Sequence, residues 1–479
     1  MFRIAALVLA TLLATPAYAD STSGHVTASG EVGITDNVFS ATGDTRAGDM
    51  FFTLRPGFLF SLNRPRFIQE LQGEGELIFY AAHQEDPSLG VRGAYRAFAT
   101  TGPRSEMSWQ LNAGRSTLSA INSRPGPGQT TVQVQPDVNV TAIQGDGSES
   151  GSWLATRELR LSQTLFGRYS RTDDQLPDVP DPFGMAPPVP ANTVVTSYEG
   201  GGSVALERSF RDDSISLEPG ASVIHLERVV GAAVTPPAGL GSRLDRQINL
   251  RGRVQWRHDL NRTMSTSIDG GAVYVIPYGT DPNRSGETTS RGVFPVVGGQ
   301  LNYIEYWGST TLGLRRDVTP NMFLAQNTVS DSVTLTAAVP IPQPGGSRRR
   351  EPTIMALGTI GGQRTQLVDP STGNLGSDFR AVRFDVGLGY TPRPGFTYTA
   401  RYELTYQSGD KSGMTTAASF YRNTVYFSFA LRYPSEVAAT VPKRRGSNSR
   451  ADRSDTAVGA EPVVPDVLDQ SGGDDQGDR

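Results

Sequence analysis

From about residue 25 to Tyr433, polar and apolar side chains alternate along the chain. In the stretch 247–259, for example, Leu250 and Val254 alternate with Arg251 and Arg253. Alternation at period two predicts β-strands with one wet and one apolar face. The alternating stretches are joined by tight junctions and by long polar ones, in turn. Tight turns on one rim and long loops on the other are typical of a membrane-spanning β-barrel.

The pattern predicts an all-β chain that forms a single transmembrane, antiparallel, up-and-down barrel of about 18 strands, with 16 also acceptable. The predicted strands lie near 25–34, 50–62, 67–82, 91–100, 106–118, 130–143, 153–166, 193–209, 214–229, 243–259, 262–276, 293–305, 307–316, 328–339, 350–362, 379–391, 395–408 and 421–433. If the first strand rises from the periplasm, every junction after an even-numbered strand should be short. The junctions 63–66 and 391–395 fit this rule, whereas the segments at 307–308 and 340–349 fit it poorly.

The two ends depart from the alternation. The apolar run 4–13 precedes Ala17-Tyr18-Ala19, which predicts a secretory signal peptide over residues 1–19. Residues 434–479 contain few apolar residues and no aromatic ones, so we expect a disordered periplasmic tail. The predicted barrel occupies residues 20–433. We expect it in the outer membrane of a Gram-negative bacterium, with membrane lipid around it.

Composition excludes several other kinds of function. There is no cysteine, which excludes disulfides, thiolate metal ligands and cysteine nucleophiles. The net charge of −4 is too close to neutral to indicate nucleic acid as a partner. No spacing typical of metal ligands is found among the four histidines, which are His25, His83, His225 and His258.

No catalytic, cofactor-binding or metal-binding residue is therefore predicted, and no cofactor is expected. An enzyme on a barrel would need a base, an orienting acid and a nucleophile at one rim. His258, Asp259 and Ser265 are close in sequence at a predicted periplasmic turn. An outer-membrane enzyme, or a surface adhesion scaffold, is therefore kept as an alternative from a different class.

Charged side chains within the predicted strands are expected to face water, because a charge that faces lipid at mid-depth is costly. The residues predicted on this ground to line the lumen are Arg55, Glu70, Glu74, Glu76, Arg251, Arg253, Arg257, Arg383, Arg401 and Glu403. We expect acids and arginines to pair across neighbouring strands. As a further hypothesis, opposed charges would set a transverse field that tunes selectivity.

The sequence also bears on what could line or constrict the lumen. Most aromatic residues fall on the apolar face, so the sequence predicts no aromatic path for small sugars. The proline-rich segment 171–192 is predicted to be an exposed extracellular loop. The alternative is that it folds into the lumen as a constriction.

The last predicted strand resembles the C-terminal insertion signal of outer-membrane barrels. Its alternating apolar residues are Val425, Phe427, Phe429, Leu431 and Tyr433. The resemblance implies that the barrel assembly machinery is a partner during insertion. This chain departs from the usual pattern because residues 434–479 follow the signal.

Several short motifs carry a second resemblance. They lie at 30–39, 52–57, 316–320, 330–333, 390–392 and 422–425. Together they are similar to a family of β-barrel porins found in exopolysaccharide gene clusters. The resemblance implies an outer-membrane pore for polysaccharide secretion, paired with a periplasmic polysaccharide export protein. The alternatives are a general or small-solute porin and, for the fold, a soluble β-solenoid or sandwich.

Overall fold

The computed structural model describes residues 21–37, 48–82, 88–118, 140–175, 192–230, 243–278, 291–305, 307–321, 326–341, 353–368, 375–393, 395–409 and 419–434. The predicted signal peptide and nearly all of the predicted tail lie outside these residues. No helix that could cross a membrane occurs in this part of the chain.

Its regular structure consists of eighteen β-strands. They are β1 Ser21–Thr35, β2 Asp49–Arg64, β3 Phe67–Tyr80, β4 Ser88–Gly102, β5 Ser105–Leu118, β6 Val140–Leu154, β7 Leu159–Gln175, β8 Asn192–Ser209, β9 Asp213–Val230, β10 Arg243–Asp259, β11 Met264–Pro277, β12 Gly292–Glu305, β13 Gly308–Asn321, β14 Gln326–Ile341, β15 Thr353–Val368, β16 Leu375–Arg393, β17 Phe396–Gly409 and β18 Phe420–Tyr433.

The sheet closes on itself. Every strand pairs antiparallel with its neighbours in sequence, and β1 also pairs with β18, from Val26 opposite Tyr433 to Thr35 opposite Thr424. Closure leaves no edge strand, so the backbone hydrogen-bonding groups are satisfied within the barrel and can lie in lipid. The predicted fold, an up-and-down barrel of 18 strands, is confirmed.

The two rims differ in the length of their connections. The rim that holds the start of β1 and the end of β18 carries tight reversals such as 65–66, 103–104 and 210–212. The segments at the opposite rim, such as 36–48 and 278–291, are longer. By the usual arrangement the rim with tight turns faces the periplasm and the other rim faces outward.

The chain reverses between β12 and β13 near 307–308, where the sequence showed no obvious turn. Gly308 has a φ of +154°, which side chains rarely tolerate. A Cβ atom there would lie 2.7 Å from the carbonyl oxygen of Ala338. Glycine thus permits a short turn after Glu305. Of the other doubtful junction, 340–349, the first two residues belong to β14 and residues 342–349 lie outside the described residues.

Two strand predictions are wrong in position. The sequence predicted strands at 130–143 and 153–166, whereas β6 is Val140–Leu154 and β7 is Leu159–Gln175. The first residues of the predicted loop 171–192 therefore belong to β7, and residues 176–191 lie outside the described part. The lipid-facing residue Leu111 on β5 lies opposite Gly147 on β6. Because the outward face of β6 carries glycine at such positions, this segment shows little apolar alternation in sequence.

The outward face of the barrel is apolar. On β10 the outward side chains of Leu250, Val254 and Trp256 are 44%, 50% and 39% exposed, whereas the arginines between them are less exposed. Exposed aromatic residues lie toward both rims of this face, including Tyr198, Tyr406, Trp153, Trp307 and Tyr433. An apolar band flanked by aromatic residues is the surface that a barrel presents to lipid.

Candidate functional site

The lumen face of β2, β3 and β4 holds two ion pairs. Nε of Arg55 lies 2.5 Å from Oε2 of Glu76, and an Nη2 atom of Arg92 lies 2.7 Å from Oε1 of Glu74. Glu70 is on the same face of β3, nearer the rim with tight turns. All of these carboxylates therefore point away from lipid, into the interior of the barrel.

Arginines on β10 continue this face. Arg253 makes a bidentate contact with Asp269 on β11, with distances of 2.6 Å and 2.8 Å to its two carboxylate oxygens. Arg257 lies 3.0 Å from Asp259 on its own strand. Two inward positions of β10, separated by the neutral Gln255, thus carry cations, and each of these two cations has an acid beside it.

Arg251, two positions before Arg253, has a more distant partner. Its Nη2 atom lies 2.8 Å from Oδ1 of Asp317, and the other carboxylate oxygen of Asp317, Oδ2, lies 2.6 Å from Nη2 of Arg315. Asp317 is on β13, whose pairing with β12 ends at Arg316. Beyond that point the outer end of the β13–β14 pair leans inward over β11 and β12 and meets β10.

A second bridge lies at the same place. Gln247 on β10 and Asn327 on β14 exchange amide hydrogen bonds of 2.7 Å and 2.6 Å, and both side chains are buried. The lumen is therefore narrowed near its outer rim by the end of the β13–β14 pair. Most of the predicted loop 171–192, which was the sequence candidate for a constriction, lies outside the described residues.

A network of deeply buried charges lies on β16, β17 and β18. Arg383 is 3.0 Å from Glu403 and 3.6 Å from Asp385, and Arg401 is 2.5 Å from Asp385. Arg422 lies 3.8 Å from Glu403. Asp385 and Glu403 are 2% and 3% exposed, so this network is part of the packed wall rather than a freely hydrated surface.

Apolar side chains also face the lumen, mainly in its outer half. One buried cluster is formed by Phe51, Ile78, Tyr80 and Tyr426. Another includes Val273, Phe294 and Val296, whose register places them beside Arg251 and Arg253. The interior is thus tightly packed toward the outer rim. Four aromatic residues of these clusters, namely Phe51, Tyr80, Phe294 and Tyr426, lie inside the barrel, whereas the sequence predicted that most aromatic residues face lipid.

No catalytic arrangement is formed around His258. Its Nδ1 atom lies 2.9 Å from Oδ1 of Asp213, which also accepts a hydrogen bond from the Trp256 indole. Ser265 is opposite Asp259 and so lies on the other face of the sheet from His258. Among the described residues no group of three or more His, Asp or Glu side chains could hold a metal ion.

The predicted insertion signal forms the outward face of β18. Val425, Phe427, Phe429 and Tyr433 are exposed there, and Leu431 is half-buried on the same face. This strand closes the barrel against β1. A Cβ atom built on Gly30 would lie 2.4 Å from the ring of Phe429, so the aromatic ring covers the glycine at the closing seam.

The sequence identified Glu76 and Glu403, which pair with Arg55 and Arg383, but it missed several other acids that pair with the arginines. Asp269, Asp317 and Asp385 each contact a predicted lumen arginine, and Arg92 contacts Glu74. Asp385 could have been found, because it alternates with Arg383 in one predicted strand. Asp317 could not, because its contact depends on the lean of β13.

Comparisons with known proteins add the following. No protein-family model matches the chain, and no curated protein matches it in sequence. Similar solved structures include the copper transporter OprC (9% identity, 87% of this chain and 81% of the other, TM-score 0.45). OccK2 of Pseudomonas aeruginosa has 12% identity over 87% of this chain and 99% of its own, with a TM-score of 0.41. The siderophore receptor PirA from Acinetobacter baumannii has 5% identity, 86% and 81% coverage, and a TM-score of 0.43. Similarities at this level do not define what this chain binds or carries.

The barrel itself defines the class of protein. A closed sheet of eighteen antiparallel strands carries an apolar outward belt, and its inner face holds paired charges. Such a structure spans lipid through its strands, with every backbone group bonded internally. The chain is an integral β-barrel protein of the outer membrane of a Gram-negative bacterium.

Proposed function

We propose that this barrel is a non-enzymatic conduit through which a polysaccharide leaves the cell, together with a periplasmic polysaccharide export protein. The observation that supports it best is the pairing of charges on the inner wall. Arg55 with Glu76 and Arg253 with Asp269 present many hydrogen-bonding groups but little net charge. A hydroxylated polymer can exchange hydrogen bonds with such a wall without being held at one strong site.

The narrowing near the outer rim places a condition on this function. We propose that a polymer passes when the outer end of β13–β14 moves away from β10, which requires the Gln247–Asn327 and Arg251–Asp317 contacts to open. The same narrowing favours a second candidate, a porin for small hydrophilic solutes. Such a porin would work with the constriction in place, as a size filter.

A cross-linking experiment separates the two functions. The chain has no cysteine, so Gln247→Cys and Asn327→Cys would be the only thiols. A short bis-maleimide should then lock the outer end of β13–β14 to β10. For a conduit we expect polysaccharide export from intact cells to fall to the level of a gene deletion, with polymer accumulating in the periplasm.

The single-cysteine variants, treated in the same way, are the controls and should export normally. If the locked barrel exports polymer at the normal rate, the conduit is wrong. Two results together would instead identify the porin. Polysaccharide export would be unchanged after gene deletion, and small sugars would enter liposomes that contain the barrel faster than liposomes that lack it. The deletion, the lock and the liposome assay together distinguish the two candidates.

A further inference from the structure

A row of charged side chains lies on the outward face of the barrel, near the rim with long loops. Cross-strand register places Arg316, Asp331, Arg364 and Arg380 side by side on β13, β14, β15 and β16. Asp378 lies two residues before Arg380 on β16, on the same face and nearer the rim with long loops. These residues share the face of exposed Val333 and Val382, so they point away from the lumen.

The arginines of this row are held in place but remain accessible. Nη2 of Arg364 lies 2.9 Å, and its Nε atom 3.1 Å and 3.0 Å, from the carboxylate oxygens of Asp378. Arg380 contacts the same carboxylate at 3.2 Å, and its side chain is 69% exposed. Arg316 lies 3.6 Å from Asp331. Three guanidinium groups face two carboxylates, which leaves one excess positive charge.

The next outward row toward the middle of the barrel is apolar. Register places Leu314, Val333, Gly362 and Val382 directly below the charged row. Gly362 has no side chain between Val333 and Val382, which are 44% and 50% exposed. The apolar belt therefore has a notch at Gly362, between the side chains of Val333 and Val382. This notch lies next to Arg364, on the side toward the middle of the barrel.

We propose that this row, together with the notch, binds the phosphorylated headgroup of a lipid in the outer leaflet. Arginine forks are suited to phosphate oxygens, and each such contact is charge-assisted. The acyl chains would lie along the apolar belt, with one in the notch at Gly362. A lipid fits better than a free phosphate ion, because the cations and the apolar groove meet on the face that contacts the membrane.

Binding of diphosphoryl lipid A to the full chain, purified in phosphatidylcholine nanodiscs, tests the proposal. The wild-type barrel should retain lipid A, as measured by native mass spectrometry. The variant Arg364→Gln/Arg380→Gln should bind it about tenfold or more weakly, because two charged contacts are lost. Arg208→Gln removes an exposed outward arginine near the opposite rim and should leave binding unchanged.

Three results would overturn the proposal: equal binding by the double variant, equal loss in Arg208→Gln, or displacement of lipid A by inorganic phosphate alone. Folding is checked by the faster migration of unheated barrels on SDS gels. Should the double variant fail to fold, Arg380→Gln alone is the substitute, since that side chain is mostly exposed. It should weaken lipid A binding in the same direction, and unchanged binding would again contradict the assignment.

Discussion

Gln247 and Asn327 donate hydrogen bonds to each other through their side-chain amides, at 2.7 Å and 2.6 Å, although their strands are not neighbours in the barrel. Gln247 is fully buried and Asn327 is 7% exposed. Adjacent strands are held together by backbone hydrogen bonds. This side-chain contact instead joins β10 and β14, which share no backbone hydrogen bonds. It therefore fixes how far the outer end of the β13–β14 pair leans over the lumen.

Removing one half of this amide pair should destabilise and widen the barrel. Gln247→Ala leaves the buried amide of Asn327 without its partner, which costs about 1–3 kcal/mol. Urea unfolding in detergent micelles measures the change, and single-channel conductance should rise. Gln300→Ala is the control, because its amide contact with Asn302 is exposed, and it should change stability by less than about 0.5 kcal/mol. An unchanged midpoint for Gln247→Ala would show that the pair carries no stability.

The buried network on β16 and β17 should be much more sensitive than a surface pair. Asp385→Ala leaves Arg383 and Arg401 in the packed wall without the carboxylate that both contact, which should cost about 3–5 kcal/mol. Asp173→Ala removes the acid of an exposed pair with Arg171 and should cost about 0–1 kcal/mol. Unfolding midpoints of the two variants in the same detergent provide the comparison. Similar losses would mean that burial does not set the cost.

Charge reversal in the lumen should change ion selectivity. Arg253→Glu replaces an inward-facing cation with an anion beside Asp269, so the pore should favour cations more strongly. The reversal potential across a planar bilayer in a KCl gradient reports this. Arg253→Glu/Asp269→Arg restores the pair in the opposite order and should return selectivity toward the wild-type value. If the reversal potential is the same in all three proteins, Arg253 does not line the ion path.

The closing seam predicts a difference between two glycines of β1. Gly30→Ala would place a Cβ atom 2.4 Å from the ring of Phe429, and this overpacking should cost about 1–3 kcal/mol. Gly24→Ala meets no atom within 4 Å and should be neutral or slightly stabilising. Unfolding of the two variants in micelles measures the contrast. Equal stability would mean that the ring moves aside freely.

The proposed insertion signal can be separated from simple lipid contact. Phe427→Ser alters an outward side chain of β18, whereas Phe58→Ser alters one on β2, and the two side chains are 63% and 49% exposed. If the signal is read by the assembly machinery, only Phe427→Ser should lower the amount of barrel in cell membranes. Refolding into micelles without the machinery should be reduced similarly for both. Equal levels of both variants in cells would contradict the signal.

Much of the fold could be predicted from the sequence, because alternation at period two directly records which side chains face lipid. Strands such as β10, with Leu250 and Val254 alternating with arginines, were readily recognised. The position of β6 was not, because glycine on its outward face removes the apolar signal while the backbone still pairs. Leu111 on β5 partly covers that face, so the neighbouring strand supplies apolar surface that β6 lacks.

The face of a charged residue follows from the strand on which it lies, but its partner follows from three-dimensional shape. Arg253 and Asp269 are on adjacent strands and could be paired by counting. Arg251 and Asp317 are joined only because β13 leaves β12 and leans inward. The sequence pattern indicates on which strand and on which face a residue lies. It does not indicate that the outer end of the β13–β14 pair bends over the lumen.

The pairing of β1 with β18 has a consequence for how the protein is made. Val26 and Tyr433 lie in the first and last strands of the barrel, and they must meet before the ring exists. Contacts this distant in sequence form slowly, and they cannot form before β18 has been synthesised. The polypeptide must therefore be kept from aggregating until its last strand is available. A product cut short before Phe420 would keep two open edges, which are prone to pair with other chains.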